Sequence, residues 1–279
     1  MTDQLFNQIT AHGAAMNLSQ RAKFQLTGAD RVRYLNGQVT NDIRRATETS
    51  ALYACVTDAK GRIAGDVFIH TSADSLLLDT EADARETLAA RLERYIVADD
   101  VELTDVTESW QLWHVFGGDG AEGTVNSNRL GAEGFDLWLP ADAATPAFDE
   151  KCVLSDEDVE TWRILQKIPR WPSELNTETF PPEAGLMERA MDFAKGCYIG
   201  QEVLSRIKTT GKMPREMFAF ETDGDVNKGD DILLADKIIG KVTSITSHPV
   251  TGARIGLGMV KQGMTDGVLT ATGHTLRPR

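Results

Sequence analysis

The stretch Lys195-Gly196-Cys197-Tyr198-Ile199-Gly200-Gln201-Glu202 sets an ammonium, a thiol, a phenol, an amide and a carboxylate around two glycines. No packing need accounts for that mixture. An apolar run, Gly185 to Ala194, leads into it, and a helix-like run, Glu202 to Lys208, leaves it. Polar groups on a glycine-hinged turn between regular elements are where function usually sits. A neighbouring lysine and a following helix N-terminus both favour the thiolate of Cys197. Lys195 and Cys197 are two apart, so an extended segment would point them the same way. Gln201 and Glu202 fall in the first turn of the next helix, where they either cap it or contact a ligand. Arg206, Lys208, Lys212 and Arg215 follow as a basic cluster suited to an acidic ligand tail or an acidic partner. The plainer reading is a tight strand-to-helix turn with a half-buried cysteine.

Outward from the octet, residues 22–27 alternate polar and apolar and predict a strand. Gly28-Ala29-Asp30 breaks it, with Asp30 as helix cap, and Val32, Leu35 and Val39 recur at helical spacing. Strands are expected at 51–57, 63–70, 75–78, 101–106, 110–116 and 135–139. Ala84, Leu88, Leu92, Tyr95 and Ile96 form an apolar stripe that predicts a helix over 81–96. Ser155-Asp156-Glu157-Asp158 is a capping-box pattern opening a helix that runs to about Lys167. Four prolines between 169 and 182 make a rigid connector. After Arg215 the pattern is short strands separated by Gly, Asp and Asn, which reads as a small antiparallel barrel. Strands and helices that do not alternate strictly predict an α+β fold rather than a doubly wound sheet. The expected division is 1–212, in two lobes that part near 145, and 213–279.

Composition narrows the function classes. A chain of 279 residues with 41% hydrophobic and 25% charged residues is an ordinary globular protein. Its net charge of −13 disfavours nucleic acid as a main partner. Cys55, Cys152 and Cys197 lie far apart, with no Cys/His pair at metal-ligand spacing, so no intrinsic metal is expected. An unpaired cysteine count fits a reducing compartment. Met1 to Leu5 resembles no signal peptide and no apolar run approaches about 20 residues, so the expectation is a cytoplasmic protein off the membrane. The glycines at 117–120 lack a dinucleotide-binding order, and no nucleophile elbow supports a hydrolase triad.

Two further segments carry candidate residues. Thr40-Asn41-Asp42 follows a helix and is a turn by default. Gly61-Arg62-Ile63-Ala64-Gly65-Asp66 places one acid early in a strand, where Asp66 becomes an acid–base candidate if it faces a cavity.

Taken with the octet, these segments resemble the YgfZ-type folate-binding proteins, relatives of the glycine-cleavage T-protein (aminomethyltransferase). The pieces that carry the resemblance are K-G-C-Y-I-G-Q-E, Tyr34-Leu35-Asn36-Gly37-Gln38-Val39-Thr40-Asn41-Asp42, Arg206-(x4)-Gly211-(x3)-Arg215 and Gly240 to Ser244. The resemblance implies ferredoxin-like α+β lobes around a central folate cavity, with a C-terminal β-barrel. It implies a tetrahydrofolate-dependent role in making or repairing iron–sulfur enzymes, with client or assembly proteins as partners. Lys195 and Cys197 match the family's functional lysine and cysteine. Asn41, Asp42, Asp66, Tyr198, Gln201, Glu202 and Arg206 are the candidate folate contacts. The chain departs from the aminomethyltransferase pattern twice. One acid of a pair is replaced by Gly65, which counts against aminomethyl transfer. Leu165 stands where the T-proteins carry a pterin-reading Glu, which implies weakened folate binding. The alternatives are an aminomethyltransferase-like one-carbon transferase and a non-catalytic interaction protein that no longer binds folate.

Overall fold

The computed structural model describes residues 1–117, 120, 123–148 and 152–279. Gly118 and Asp119, within the expected glycine loop, lie outside them. In chain order the strands are β1 (Ala14–Asn17), β2 (Ala22–Thr27), β3 (Leu52–Thr57), β4 (Ile63–Thr71), β5 (Leu76–Thr80), β6 (Glu102–Asp105), β7 (Trp110–Phe116), β8 (Val125–Ser127), β9 (Gly134–Pro140) and β10 (Cys152–Leu154). The tail adds β11 (Arg215–Thr222), β12 (Asp231–Leu234), β13 (Lys237–Ser247), β14 (Arg254–Lys261), β15 (Leu269–Ala271) and β16 (His274–Pro278). The helices are α1 (Asp3–His12), α2 (Arg31–Gln38), α3 (Arg85–Glu93), α4 (Asp156–Leu165), α5 (Met187–Ala190) and α6 (Gln201–Thr210).

One sheet has the order β3-β4-β5-β2-β6. Helices α2 and α3 cover one of its faces, where Tyr34, Leu35, Leu88 and Leu92 pack against Phe24, Leu26, Val67 and Ile69. The second sheet, β10-β1-β7-β9-β8, packs with α1 and α4 around Ile9, Met16, Leu112, Phe116 and Trp162. The sheets interleave along the chain: β1 precedes the whole first sheet yet pairs in the second, with β7 antiparallel and β10 parallel. Position 145 falls between β9 and β10, which share that second sheet. The tail closes as a six-stranded barrel, β11-β14-β13-β12-β15-β16, because β11 pairs with both β14 and β16. The α+β class with a C-terminal barrel is therefore the architecture of the chain.

Local chemistry explains the elements and the differences from expectation. Ser155 accepts from the Asp158 amide at 3.2 Å while the Asp158 carboxylate accepts from the Ser155 amide at 3.3 Å, the expected capping box. Asp30 starts α2 without a side-chain cap, and its carboxylate instead accepts from the Asp100 amide at 3.0 Å. The expected 81–96 helix is regular only over Arg85–Glu93. Tyr95 and Ile96 are held by three-residue turns to Leu92 and Glu93, which tighten the last turn and still bury the stripe. The run before the octet is a tight turn over Pro181–Ala184, then α5, then an irregular stretch. Helix α1 was not expected, although Thr2 caps it by accepting from the Leu5 amide and Gly13 ends it.

Candidate functional site

A cavity of about 790 Å³, counting its open mouth, lies where the first sheet, the β1–β2 connection and α4 meet. Tyr53 of β3 and Asp66 and Phe68 of β4 form one wall. Arg21 and Glu81 lie beside them, and Arg163 and Arg170 come from α4 and the loop beyond it.

Asp66 is the expected site residue that this cavity contains. Its Oδ2 accepts from the Tyr53 hydroxyl at 3.0 Å, while its Oδ1 has no hydrogen-bond partner among the described residues. Burial raises the carboxyl above its usual range; Arg21 opposes that and Glu81 reinforces it. Burial likewise raises the Tyr53 phenol well above its ordinary value, with the Asp66 charge adding to it. The missing acid at Gly65 has a different meaning from the expected one. Neighbours on a strand face opposite sides. A Cβ at Gly65 would sit 3.3 Å from Leu88 Cδ1 on the α3 side, away from Asp66. Its absence therefore removes nothing from the cavity. Leu165 also needs correcting. It is half-buried and packs with Ile164, Ile255 and Leu257 on the barrel side of α4, and it does not line this cavity.

Beneath the cavity lies an ion network that joins the two sheets. Arg129 grips Asp79 of β5 through two bonds of 2.9 and 2.7 Å. It also grips Asp136 of β9 through bonds of 2.8 and 2.7 Å. Arg21 adds a 2.5 Å bond to Asp79, and the His114 ring meets Asp136 at 2.8 Å. Burial would raise both carboxyls, but Arg129 outweighs it, helped by Arg21 at Asp79 and by His114 at Asp136. Both are held well below the carboxylate range. Burial lowers His114 against the pull of Asp136.

These shifts give a signed prediction. Asp79, Asp136 and His114 all have folded values below their unfolded ones, so their stability is present above those unfolded values. It is lost as pH falls, from about 6.5 for the histidine and about 4 for the aspartates. Asp66 acts oppositely: its contribution is full below about 4 and is lost as pH rises through its folded value. Above about pH 4 His114 and Asp66 oppose each other, and below it both network aspartates add their loss, which predicts a melting temperature that falls steeply from pH 4 to pH 2. Thermal melts that are flat over this range would contradict the network.

The octet lies elsewhere. The Lys195 ammonium donates to the backbone carbonyls of Asn36, Val39 and Asn41 at 2.6, 2.7 and 2.7 Å. Burial pulls it down to about 8, with Asp42 and Asp192 opposing, so it remains charged at neutral pH. Gly200 adopts φ 88°, and a Cβ there would lie 2.6 Å from the Asp58 carbonyl oxygen. Only glycine lets the octet dock this closely on the β3–β4 turn. Thr57 donates to the Ile199 carbonyl at 2.6 Å, and the Ile199 amide donates to Gly37 at 3.1 Å. Tyr198 is buried against Phe180, Met191, Leu204 and Ile207. Packing therefore does explain Lys195, the Tyr198 ring and Gly200, although the buried Tyr198 hydroxyl has no hydrogen-bond partner among the described residues. It does not explain Cys197, which is exposed, or Glu202, whose contact is a 3.6 Å ion pair with Arg206 on the surface. Lys195 is buried and Cys197 is exposed, so the two do not share a face as expected.

The other expected contacts do not line this cavity, and of them Asn41 braces its wall. Asn41 donates to the Tyr53 carbonyl at 2.9 Å, which ties the octet's docking loop to the cavity wall. Asp42 is bound by Arg44, which holds it down to about 2. Arg206 and Gln201 line none of this cavity. Sequence reading missed Arg21, Tyr53, Arg129 and Arg189, which stand singly in unremarkable segments.

With this geometry in place, comparison with known proteins identifies the family. Residues 3–123 match the GCVT N-terminal domain, and residues 215–274 match the glycine cleavage T-protein C-terminal barrel domain. The chain belongs to the glycine-cleavage T-protein superfamily. It is 26% identical to an aminomethyltransferase of Rubrobacter xylanophilus, over 90% of this chain and 77% of that protein. It is 30% identical to the mitochondrial iron-sulfur cluster assembly factor IBA57 homolog of Pyricularia oryzae, over 70% of this chain and 54% of that protein. It is 27% identical to the tRNA-modifying protein YgfZ of Escherichia coli O157:H7, over 73% of this chain and 70% of that protein. The crystal structure of aminomethyltransferase T from Bartonella henselae superposes with a TM-score of 0.82 at 13% identity, over 98% of this chain and 88% of that one, and so shares the fold. Among the described residues no helix is long and apolar enough to cross a membrane.

Proposed function

We propose that this chain binds a reduced folate in the Asp66 cavity and serves iron–sulfur protein maturation, with Cys197 as its working thiol. The observation that carries the reading is a pair of orphaned polar atoms on the cavity wall. Asp66 Oδ1 and Arg21 Nη2 are buried and have no hydrogen-bond partner among the described residues. Leaving such groups unpaired costs about 1–3 kcal/mol each. A pterin edge offers adjacent donors and an acceptor that would satisfy them, and Phe68 and Tyr53 supply flat apolar walls. The residues present therefore fit a folate. When bound, a reduced folate supplies a carrier for one-carbon units. Asp66, with its raised carboxyl, can hold a proton at the ring, and Arg21 can orient a ring acceptor. Cys197 stands free on the surface, open to a partner protein. The name carried by the IBA57 relatives favours iron–sulfur work, whereas that of the YgfZ relative points to tRNA modification. The net charge of −13 favours a protein partner over tRNA, and the reading keeps the protein in the cytoplasm.

Calorimetric titration with tetrahydrofolate should show binding that Asp66→Ala weakens by about ten-fold or more and Cys197→Ser leaves unchanged. Cys197→Ser should instead abolish the support of an iron–sulfur enzyme in cells. Absence of heat at high micromolar tetrahydrofolate would favour the interaction protein that has lost its ligand. One observation keeps the one-carbon transferase in play: the cavity retains its acid, because position 65 faces α3. Turnover of an aminomethylated carrier protein would establish that reading.

A further inference from the structure

Five guanidiniums line the cavity, those of Arg21, Arg129, Arg163, Arg170 and Arg189. Four are already matched by carboxylates. Arg21 pairs with Asp79 and Glu81, and Arg129 with Asp79 and Asp136. Arg163 pairs with Glu160 and Glu174, and Arg170 with Glu81 and Glu160. Arg189 has no carboxylate partner among the described residues. One of its N–H groups donates to the Asn128 carbonyl at 2.9 Å. Its guanidinium carbon lies 5.6 Å from the centre of the Tyr53 ring. It is only partly buried.

We infer that Arg189 receives the anionic arm of the cavity's ligand. The inference rests on the folate reading above and assigns the arm's carboxylate to a particular residue. Tyr53 orders the site. Its hydroxyl serves Asp66 at 3.0 Å while its ring lies beside Arg189. A ligand whose ring meets Asp66 and Arg21, and whose chain runs along Tyr53, brings its carboxylate to the wall's unmatched cation. A guanidinium has five donors in a planar fork suited to a carboxylate. The basic cluster after the octet is the residue set expected from sequence for this task, and it is placed elsewhere. Arg206 pairs with Glu202 and Arg215 with Glu183, while Lys208 lies 4.1 Å over the Phe193 ring. None of these lines the cavity.

The test titrates the full chain with tetrahydrofolate and with a tetrahydropterin that lacks the benzoylglutamate arm. Arg189→Gln keeps a donor for the Asn128 carbonyl and removes the charge. It should weaken tetrahydrofolate by about ten-fold or more and leave the tetrahydropterin within about two-fold. It should also flatten the salt dependence of tetrahydrofolate binding, and Arg189→Lys should restore part of both. Equal loss for the two ligands would make Arg189 a support for the Tyr53 wall and overturn the inference. Undiminished tetrahydrofolate binding with an unchanged salt slope would overturn it too, with the folate reading intact. If neither ligand binds the unaltered chain, the folate reading fails and takes this inference with it.

Discussion

Arg129→Ala is expected to destabilise the fold by about 3–5 kcal/mol, the usual result of removing one partner from a buried ion pair. The reason lies in what is left behind. Asp79 and Asp136 are fully buried, stand on different sheets and share this one guanidinium through four hydrogen bonds. Arg21 still serves Asp79 and His114 still serves Asp136, but each carboxylate loses its bidentate partner. Arg129→Lys should recover less than half of the loss, because a point ammonium cannot reproduce two forked contacts. The deficit should also shrink between pH 7 and pH 5, since an unpaired buried carboxyl takes up a proton more readily. Urea unfolding at both pH values measures this. A loss below about 1 kcal/mol would mean that water reaches the aspartates and that the network does not hold the sheets together.

The network was not legible in the sequence, and the reason is physical. Asp79, Arg129 and Asp136 come from β5, a loop and β9, and nothing local pairs them. Their partnership depends on β5 of the first sheet packing near β9 of the second, which no periodicity announces. What was legible was local: the alternation over β2, the Ser155 capping box and the short-strand tail that closes as a barrel. The candidate site divides along the same line. Asp66 was legible because a lone acid between a turn and an apolar run is conspicuous. Tyr53 and Arg189 were not, because their roles arise only when β3, β4 and α5 are brought together. The octet was conspicuous for two reasons that sequence could not separate. Gly200 and Lys195 are explained by docking against the first sheet, and Cys197 is not.

That separation sets up the second large effect. Lys195→Met should cost about 3 kcal/mol, through the carbonyls that it leaves without donors at about 1–3 kcal/mol each. The carbonyls of Asn36, Val39 and Asn41 cluster at and beyond the C-terminal end of α2, where the helix dipole is negative and a cation is favoured. Relief from burying the ammonium offsets part of the loss, since burial already pulls Lys195 down to about 8. Methionine fills a similar volume, so the loss reports the missing donors rather than a cavity. Cys197→Ser, on the exposed side of the same octet, should change stability by less than about 0.5 kcal/mol. The pair of variants therefore divides fold from function within three residues. The Asn41 amide group also holds the Tyr53 carbonyl, so Lys195→Met should loosen the cavity wall and weaken folate in proportion. If Lys195→Met melts like the unaltered chain yet fails in cells as Cys197→Ser is expected to, the ammonium serves the chemistry and the docking account is wrong.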